Sequence, residues 1–518
     1  MFIVIFLIIS YILLCLSLFW LFPKMGIPAA KAWIPGVNFA EWCQAIGRSP
    51  WHALWLLVPI VNVFIFAGMS VDLVRSFRKM TFGDSALAVI YAPLSFTLIA
   101  KNDKDIFVEP AVTKEREYLH SLNLAQKDND ANKLTRLKSQ SPYAKSAWRE
   151  WVESIIFAVF AAALLRMFIL EAYVIPTPSM EGTLKVGDFL FVSKLHYGVR
   201  MPMTIAMLPL LHNTIPGLGT ESYFKKPSLE YKRLPKLVDI KRNDPFVFNW
   251  PVGDSVYLGR ERSWAAFQLK SNPFAAQDCK GAELRVRPID KKDHYIKRCV
   301  GMPGDSLQII NRQLYINGEM AKNPTHLQHA YLMKSSTTNI QMKKLTEWGI
   351  NTYDPNLRAG LIYLDEVQYN KVKSLGPDIE LTPFETTDDQ VFPPGQTGWT
   401  FDNYGPIWIP KAGASVNLTT DNLSMFDRVI SVYEGNQIEL KDGAIFINGE
   451  QTNSYTFKQN YYWAMGDNRR NSEDSRAWGF VPEDHIVGKP ILIWFSLRNA
   501  SLKEGVNWKR VFSSPNKL

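Results

Sequence analysis

Four cysteines in 518 residues are too few for a disulfide scaffold, and Cys15 and Cys43 fall in or beside the most apolar third of the chain. That leaves Cys279 and Cys299 as a pair open to oxidation in an oxidising compartment. The sequence has no cluster of metal-ligating residues at a metal-site spacing, no glycine-rich phosphate loop and no cofactor fingerprint, so neither a metal nor a cofactor is expected. The net charge of +9 raises the question of a nucleic-acid partner. No basic segment is studded with aromatics, however, and many of the basic residues lie beside apolar runs, where they have a topological reason, so no nucleic acid is expected. Charge is absent from residues 1–22, MFIVIFLIISYILLCLSLFWLF, which reach the roughly 20 residues needed to cross a bilayer. The run has no basic n-region and exceeds the roughly 7 to 15 residues of a signal-peptide core, so it is expected to remain as an anchor.

Two further apolar runs, 51–71 and 155–175, read as membrane spans, the second interrupted only by Arg166 and Glu171. Residues 84–100 are shorter and broken by Pro93, which fits either a fourth span or an interfacial segment. Lys and Arg are frequent from Arg75 to Glu153, which places that loop in the cytoplasm and everything after Ile175 outside; an external N-terminus follows if 84–100 crosses. The expected organisation is a membrane module over 1–110 with two or three transmembrane helices and a polar cytoplasmic linker over 111–153. A transmembrane helix over 154–175 and an extracytoplasmic β-rich domain over 176–518 follow.

Beyond Pro176 the pattern turns to short β-rich runs separated by Gly, Asn and Asp, such as DFLFVSKL, DPFVFNW, HYIKRCV and KPILIWFSL. The fold class is therefore a mainly β catalytic domain anchored by N-terminal transmembrane α-helices. LQIINRQLYINGE at 307–319 echoes IELKDGAIFINGE at 438–450, each suggesting a hairpin ending in an Asn-Gly turn. Residues 320–425 carry no catalytic motif and read as an inserted subdomain, with a shorter Pro- and Leu-rich insertion around 203–236.

Three segments carry chemistry. In IPTPSMEGTLKVGD, Pro176 and Pro178 force extended chain and hold Ser179 on a rigid, non-helical backbone. In DHYIKRCVGMPGDSL, a strand of period two puts Asp293, Tyr295, Lys297 and Cys299 on one face, so that Lys297 has uncharged nearest neighbours there. A lysine kept from water loses proton affinity and becomes available as a base near neutral pH, whereas Arg298 cannot deprotonate and reads as structural. In WAMGDNRRNSEDSRAWGFV, Ser472, Asp474, Ser475 and Arg476 follow a Gly-Asp-Asn turn and can form a bracing polar network. Taken singly, each segment is more often an ordinary turn, edge strand or solvated loop.

In their order and wording these segments, TPSM, KRCVGMPGD and GDNRRNSEDSR, resemble the signature boxes of bacterial type I signal peptidases, the Ser/Lys-dyad serine proteases. The resemblance covers about 172–200, 238–255, 290–320 and 425–496, and leaves the N-terminal 150 residues and the insertions unexplained. It implies that Ser179 is the nucleophile and Lys297 its general base. It also implies that Thr177 and the Ser179 N–H form the oxyanion hole, that Ser472 orients the Lys297 amine, and that an Asp474–Arg476 salt bridge braces the loop, with Arg298 and Asp305 in supporting places. Where the family often has Ser followed by Gly or Ser, this chain has Thr177 and Pro178, which keeps the hydroxyl but alters its surroundings. The implied reaction is removal of signal peptides from exported precursors after small-x-small sites, at the bacterial plasma membrane, with no cofactor. The implied partners are those signal peptides and the lipid bilayer, with the protein translocase as a candidate. Apolar residues in 174–192 and around 246–250 are candidate pocket residues. A penicillin-binding enzyme would place its lysine as Ser-x-x-Lys, and Ser179 is followed by Met-Glu-Gly. A self-cleaving repressor would carry a DNA-binding helix-turn-helix in place of the apolar spans, and an inactive membrane scaffold would not be expected to retain Ser179, Lys297 and Ser472 together.

Overall fold

A computed structural model describes residues 2–58, 61–336, 340, 342–386 and 390–515. The chain divides into two compact units, Met1–Ala158 and Val159–Leu518.

The first unit is helical. The uncharged N-terminal run forms the helix Phe2–Leu21, whose buried face (Leu14, Leu18, Leu21) joins a core with Trp42, Phe96 and Leu73. Trp42 meets the rings of Phe96 and Phe66 edge-on, at 5.1 and 5.7 Å between centroids. Where the sequence suggests one span over 51–71, the chain instead forms a 3₁₀ segment Pro50–Leu57 and a helix Val61–Ser76, with Pro59 and Ile60 outside the described residues. Val58, which precedes Pro59, is extended (φ −87°, ψ 114°), as a residue before proline tends to be. Residues 84–100 are likewise divided, into helices Phe82–Ile90 and Ala92–Lys101, with the break at Tyr91 (φ −153°) and Pro93 in the first turn of the second helix. The polar linker is helical over Ala111–Lys127 and Ala131–Gln140. Two helical stretches are long and apolar enough to cross a membrane among the described residues, Ile5–Met25 and Ala147–Phe168.

The second unit is mainly β. Its central antiparallel sheet consists of β1 (Leu170–Val174), β2 (Asp188–Ser193), β3 (Pro245–Asn249), β4 (His294–Gly301), β5 (Tyr461–Met465), β6 (Val481–Pro482) and β7 (Ile486–Ser496). They lie in the order β1-β2-β7-β3-β4-β5-β6. Strands β3 and β5 flank β4 and are buried at every residue, which explains why they are apolar apart from Asn249 at the end of β3. Bulges interrupt the pairing of β7 with both β2 and β3 and of β5 with β4, bending the sheet on itself.

The apolar run expected to be helical to residue 175 leaves the helix at Phe168, and residues 170–174 become β1, paired with β2 from Leu170↔Ser193 to Val174↔Phe189. Glu171 shows why. On a strand beside β2 it is buried and receives Lys194 at 2.8 Å and Arg166 at 2.7 Å. Burial alone would raise its carboxyl, but the charges of Lys194 and Arg166 hold it far below the usual range.

The echoed segments fold alike. Ser306–Ile310 pairs with Gln313–Ile316 as Ile438–Lys441 pairs with Ala444–Ile447. Asn317-Gly318 and Asn448-Gly449 turn with positive φ throughout (54° and 83°, 54° and 87°), the type I′ geometry that Asn-Gly suits. Asn317 Oδ1 accepts from the Ser306 N–H at 2.8 Å and Asn448 Oδ1 from the Gln437 N–H at 2.9 Å, so even the bracing hydrogen bond repeats. Within 320–425, the strands His329–Lys334, Leu361–Leu364 and Glu380–Pro383 and the helix Glu366–Lys373 enclose a core of Ile350, Ile362, Leu364, Val372 and Ile379. A later strand of that stretch, Tyr404–Trp408, pairs with Ser306–Ile310 and so belongs to the hairpin sheet. The disulfide left open by the sequence is not made: Cys279 and Cys299 are free thiols, Cys299 in the core beside Phe246 and Cys279 against Trp264 and Ala275.

The C-terminal segment is held by a charge. Arg510 donates to both oxygens of the fully buried Asp188 at 2.6 and 2.9 Å, and Ser496 Oγ adds a bond at 2.7 Å. Arg510→Ala removes the countercharge and strands that carboxylate in the interior, an error that typically costs about 3–5 kcal/mol. A lowered urea midpoint with an unchanged slope is the expected result; an unshifted midpoint would show that the pair does not hold the C-terminal segment.

Candidate active site

The chain enters the site along β1 and is pinned at Ile175, whose N–H donates to the Asp188 carbonyl and whose carbonyl accepts from the Gly187 N–H, both at 2.9 Å. Between the two prolines Thr177 is extended as expected (φ −127°, ψ 152°), but Pro178–Met180 then makes one 3₁₀ turn. Ser179 is therefore buried on a short helical turn and not on the non-helical backbone the sequence suggested, Pro178 being tolerated at the first position of the turn. Asn468 grips this turn from the opposite loop: its N–H donates to the Ser179 carbonyl at 3.2 Å and its Nδ2 to the Pro178 carbonyl at 3.3 Å.

Lys297 reaches the same point from β4, opposite Phe246 of β3. Its Nζ donates to Ser179 Oγ at 2.9 Å and to the Ile296 carbonyl at 3.0 Å, and sits 5.3 Å from the centroid of the Tyr295 ring. The side chain is buried, and burial pushes its pKa down to about 8 against the upward pull of Asp474, Glu473 and Asp467. Thr177 Oγ1 lies 3.4 Å from Ser179 Oγ, which places a second hydroxyl beside the nucleophile position.

The Gly-Asp-Asn segment closes the site from the β5 side. Asp474 is fully buried; its carboxylate accepts from Arg476 Nε and Nη2 at 2.9 and 2.8 Å, from the Gly466 N–H at 3.0 Å and from Ser472 Oγ at 2.9 Å. Burial would raise this carboxyl, but Arg476 and the other donors outweigh it and keep the group below its usual range. Ser472 thus gives its hydroxyl proton to Asp474, and the hydrogen bonds of Lys297 Nζ among the described residues go to Ser179 and Ile296. Gly466 packs so closely that a Cβ there would overlap both Ser472 Oγ and the Ser179 carbonyl.

Arg298 points to the other face of β4 from Lys297, as the period-two reading expects, and locks the same turn. Its guanidinium makes a bidentate bridge to Asp467 at 2.8 and 2.7 Å and reaches Thr183 Oγ1 at 3.1 Å. Asp305 is engaged elsewhere: it receives Arg242 at 2.8 Å, the Met302 N–H at 2.6 Å and Asn317 Nδ2 at 3.0 Å, bracing the turn into the first repeated hairpin. Sequence reasoning passed over Asn468 and Asp467 as partners of the serine turn and of Arg298, although both lie in the Gly-Asp-Asn turn it singled out.

A cleft of about 790 Å³ opens over Ser179 and Lys297, with Ile175, Leu190, Val247 and Ile296 among its apolar lining. Three of these four come from the two segments expected to hold pockets. An apolar wall of largely buried side chains beside a buried amine and hydroxyl suits an extended peptide with small side chains at the reacting end.

The sequence profile of the signal peptidases, peptidase S26, matches residues 148–369 and 451–495, spanning every element of this site. The chain belongs to that family. Similar proteins include a signal peptidase I of Haemophilus influenzae, 27% identical over 365 residues that cover 70% of this chain and 73% of the relative. A signal peptidase I of Helicobacter pylori is 24% identical, with 70% and 90% covered, and one of Pseudomonas aeruginosa is 22% identical, with 70% and 78% covered. Residues 30–110 match a second profile, that of a family of unknown function.

The tight seat of Gly466 gives a direct check. In Gly466→Ala the added methyl displaces the serine turn or Ser472, and a shift of about 1 Å at a reacting group can cost roughly 10²-fold in rate. A fall of that order in kcat/KM on a peptide substrate is expected with folding retained; activity near wild type would mean that the turn adapts freely.

Proposed function

We propose that Ser179 is the nucleophile and Lys297 the general base of a signal peptidase that cleaves exported precursors after small-x-small sites. The chain is a serine endopeptidase of the signal peptidase I type by its family. The observation that carries the residue assignment is the 2.9 Å hydrogen bond between the buried Lys297 amine and the Ser179 hydroxyl.

In the first step neutral Lys297 takes the Ser179 proton as Oγ attacks the scissile carbonyl, giving a tetrahedral oxyanion. Thr177 Oγ1 and the Ser179 N–H receive that oxyanion, a contribution of about 2.7–4 kcal/mol per donor where such sites have been altered. The lysine ammonium then protonates the departing amine of the mature protein, leaving the signal peptide as an ester on Ser179. Water attacks the ester with Lys297 again as base, and the ammonium returns its proton to Ser179 Oγ as the acid leaves. Ser472, Asp474 and Arg476 position the loop behind the amine; Ser472 acts through Asp474 and the packing of Gly466 in this reading.

The proposed membrane arrangement is supported by the helices. Ile5–Met25 and Ala147–Phe168 cross the bacterial inner membrane in a multi-pass chain, with the linker up to residue 146 in the cytoplasm and the β domain on the periplasmic side. The apolar composition of both helices and the basic residues between them support this. The short path from Phe168 through β1 to Ser179 keeps the nucleophile near the membrane surface, where a precursor held by the translocase presents its cleavage site.

Purified full-length chain in detergent, given a precursor with an Ala-x-Ala junction, is expected to cut once after the second alanine. Ser179→Ala and Lys297→Ala are each expected to lose at least about 10³-fold in kcat. Cleavage by both variants at wild-type rate would overturn the assignment. The base must be neutral, and its pKa lies near 8, so log kcat/KM is expected to rise with slope one as pH increases toward 8 and to level above it. A flat profile between pH 6 and 9 would contradict Lys297 as the base. A Ser/Lys mechanism also retains its rate after treatment with a metal chelator; loss restored by added metal would contradict it.

A further inference from the structure

A second cavity, of about 260 Å³, lies at the end of the apolar helix and shares His294 alone with the lining of the catalytic cleft. Four cations reach it, Arg166, Lys194, Arg200 and Lys291, against two carboxylates, Glu171 and Asp290. The carboxylates are already engaged. Glu171 is shared by Arg166 and Lys194, and Asp290 accepts from the Thr204 N–H at 2.9 Å and Thr204 Oγ1 at 2.7 Å. Arg200 donates to neutral acceptors, the Asp484 carbonyl at 2.9 Å and Asn249 Oδ1 at 2.7 Å.

Lys291 is the unusual group. It is only 4% exposed, its ammonium is hydrogen-bonded to the thioether of Met207 at 2.8 Å, and the Tyr223 ring lies 5.6 Å away. Neither Lys291 nor Arg200 has an ion-pair partner among the described residues. A buried ammonium facing a sulfur and an aromatic ring is costly unless something anionic completes it. His212 and His294, whose rings meet at 4.1 Å between centroids and tilted by 36°, do not add charge, because burial pushes both pKa values down, that of His212 to about 4. The cavity therefore keeps an excess of two positive charges.

The mouth is apolar. Phe160, Ile205 and Leu210 line it and are 54%, 43% and 42% exposed, beside Leu164 and Met167 of the helix and Pro209 of the 203–236 insertion. A cationic interior behind an exposed apolar rim matches an amphiphile with an anionic head.

We propose that this cavity binds the phosphate group of an anionic glycerophospholipid, with Lys291 and Arg200 as its principal donors and the rim of Phe160, Ile205 and Leu210 against the acyl chains. The site would fix the height and tilt of the β domain at the bilayer surface, an inference that rests on the membrane-spanning reading of Ala147–Phe168 but not on the identity of the catalytic residues. It also gives the 203–236 insertion a task, since Thr204 holds Asp290 aside and Met207 faces the ammonium.

The test is binding, independent of peptidase activity. Full-length chain in an uncharged detergent is titrated with phosphatidylglycerol, phosphatidylcholine and inorganic phosphate, and lipid retention is read by native mass spectrometry. Phosphatidylglycerol is expected to bind at least tenfold more tightly than phosphatidylcholine and not to be displaced by millimolar phosphate. Lys291→Met is expected to abolish this preference and Lys291→Arg to retain it. Should Lys291→Met fail to fold, Ile205→Glu, at the exposed rim, places a carboxylate at the mouth and is expected to lower phosphatidylglycerol affinity at least tenfold. Equal affinity for the two lipids, or an unchanged preference in Lys291→Met or in Ile205→Glu, overturns the proposal; phosphate binding as tightly as phosphatidylglycerol overturns the lipid as the source. Precursor cleavage measured on the same samples separates this failure from failure of the peptidase reading.

Discussion

A lysine that is to act as a base must be dry and must lack a carboxylate in direct contact, since an anion at contact distance would favour the ammonium form. The surroundings of Lys297 meet both conditions. Tyr295 and Cys299 neighbour it along β4 and Phe246 faces it across the sheet, so Lys297 is almost wholly removed from solvent beside the cleft. The three carboxylates that influence it are each committed to another cation: Asp467 to Arg298, Asp474 to Arg476 and Glu473 to Arg262. The arginines of the signature boxes thus have an electrostatic task besides holding loops. They absorb negative charge that would otherwise raise the pKa of the amine.

The same pairs set the geometry. Arg298 ties β4 to the Asp467 turn and to Thr183, and Asn468 of that turn clasps the Ser179 backbone, so the nucleophile and the base are referenced to one rigid strand. Gly466 permits the approach. The β domain around this centre is elaborated by a repeated hairpin motif and a subdomain with its own core, and neither supplies a side chain to the Ser179–Lys297 hydrogen bond.

Much of this was legible in the residues. The two prolines that flank Thr177 just before Ser179, the uncharged strand face of Lys297 and the Asp474–Arg476 pairing all depend on local sequence, and the hairpin echo extends even to the bracing asparagines 317 and 448. What was illegible depends on tertiary partners. An apolar run does not declare whether it continues as helix or turns to strand; Lys194, distant in sequence, is what makes a buried Glu171 tolerable on β1. Asp305 sits in the same motif as Lys297 yet answers to Arg242 and Asn317, because the chain turns sharply after Gly301. The grip of Asn468 on Pro178 and Ser179 joins segments nearly 300 residues apart, a separation that no local pattern bridges.

The central claim is that burial lowers the pKa of Lys297 to near 8, and titrating that one amine tests it most directly. With ¹³Cε-labelled lysine in the detergent-solubilised chain, the Lys297 resonance is identified by its loss in Lys297→Arg and followed from pH 6 to 11. The account predicts a midpoint near 8. A midpoint at the roughly 10.4 of a free lysine would contradict it.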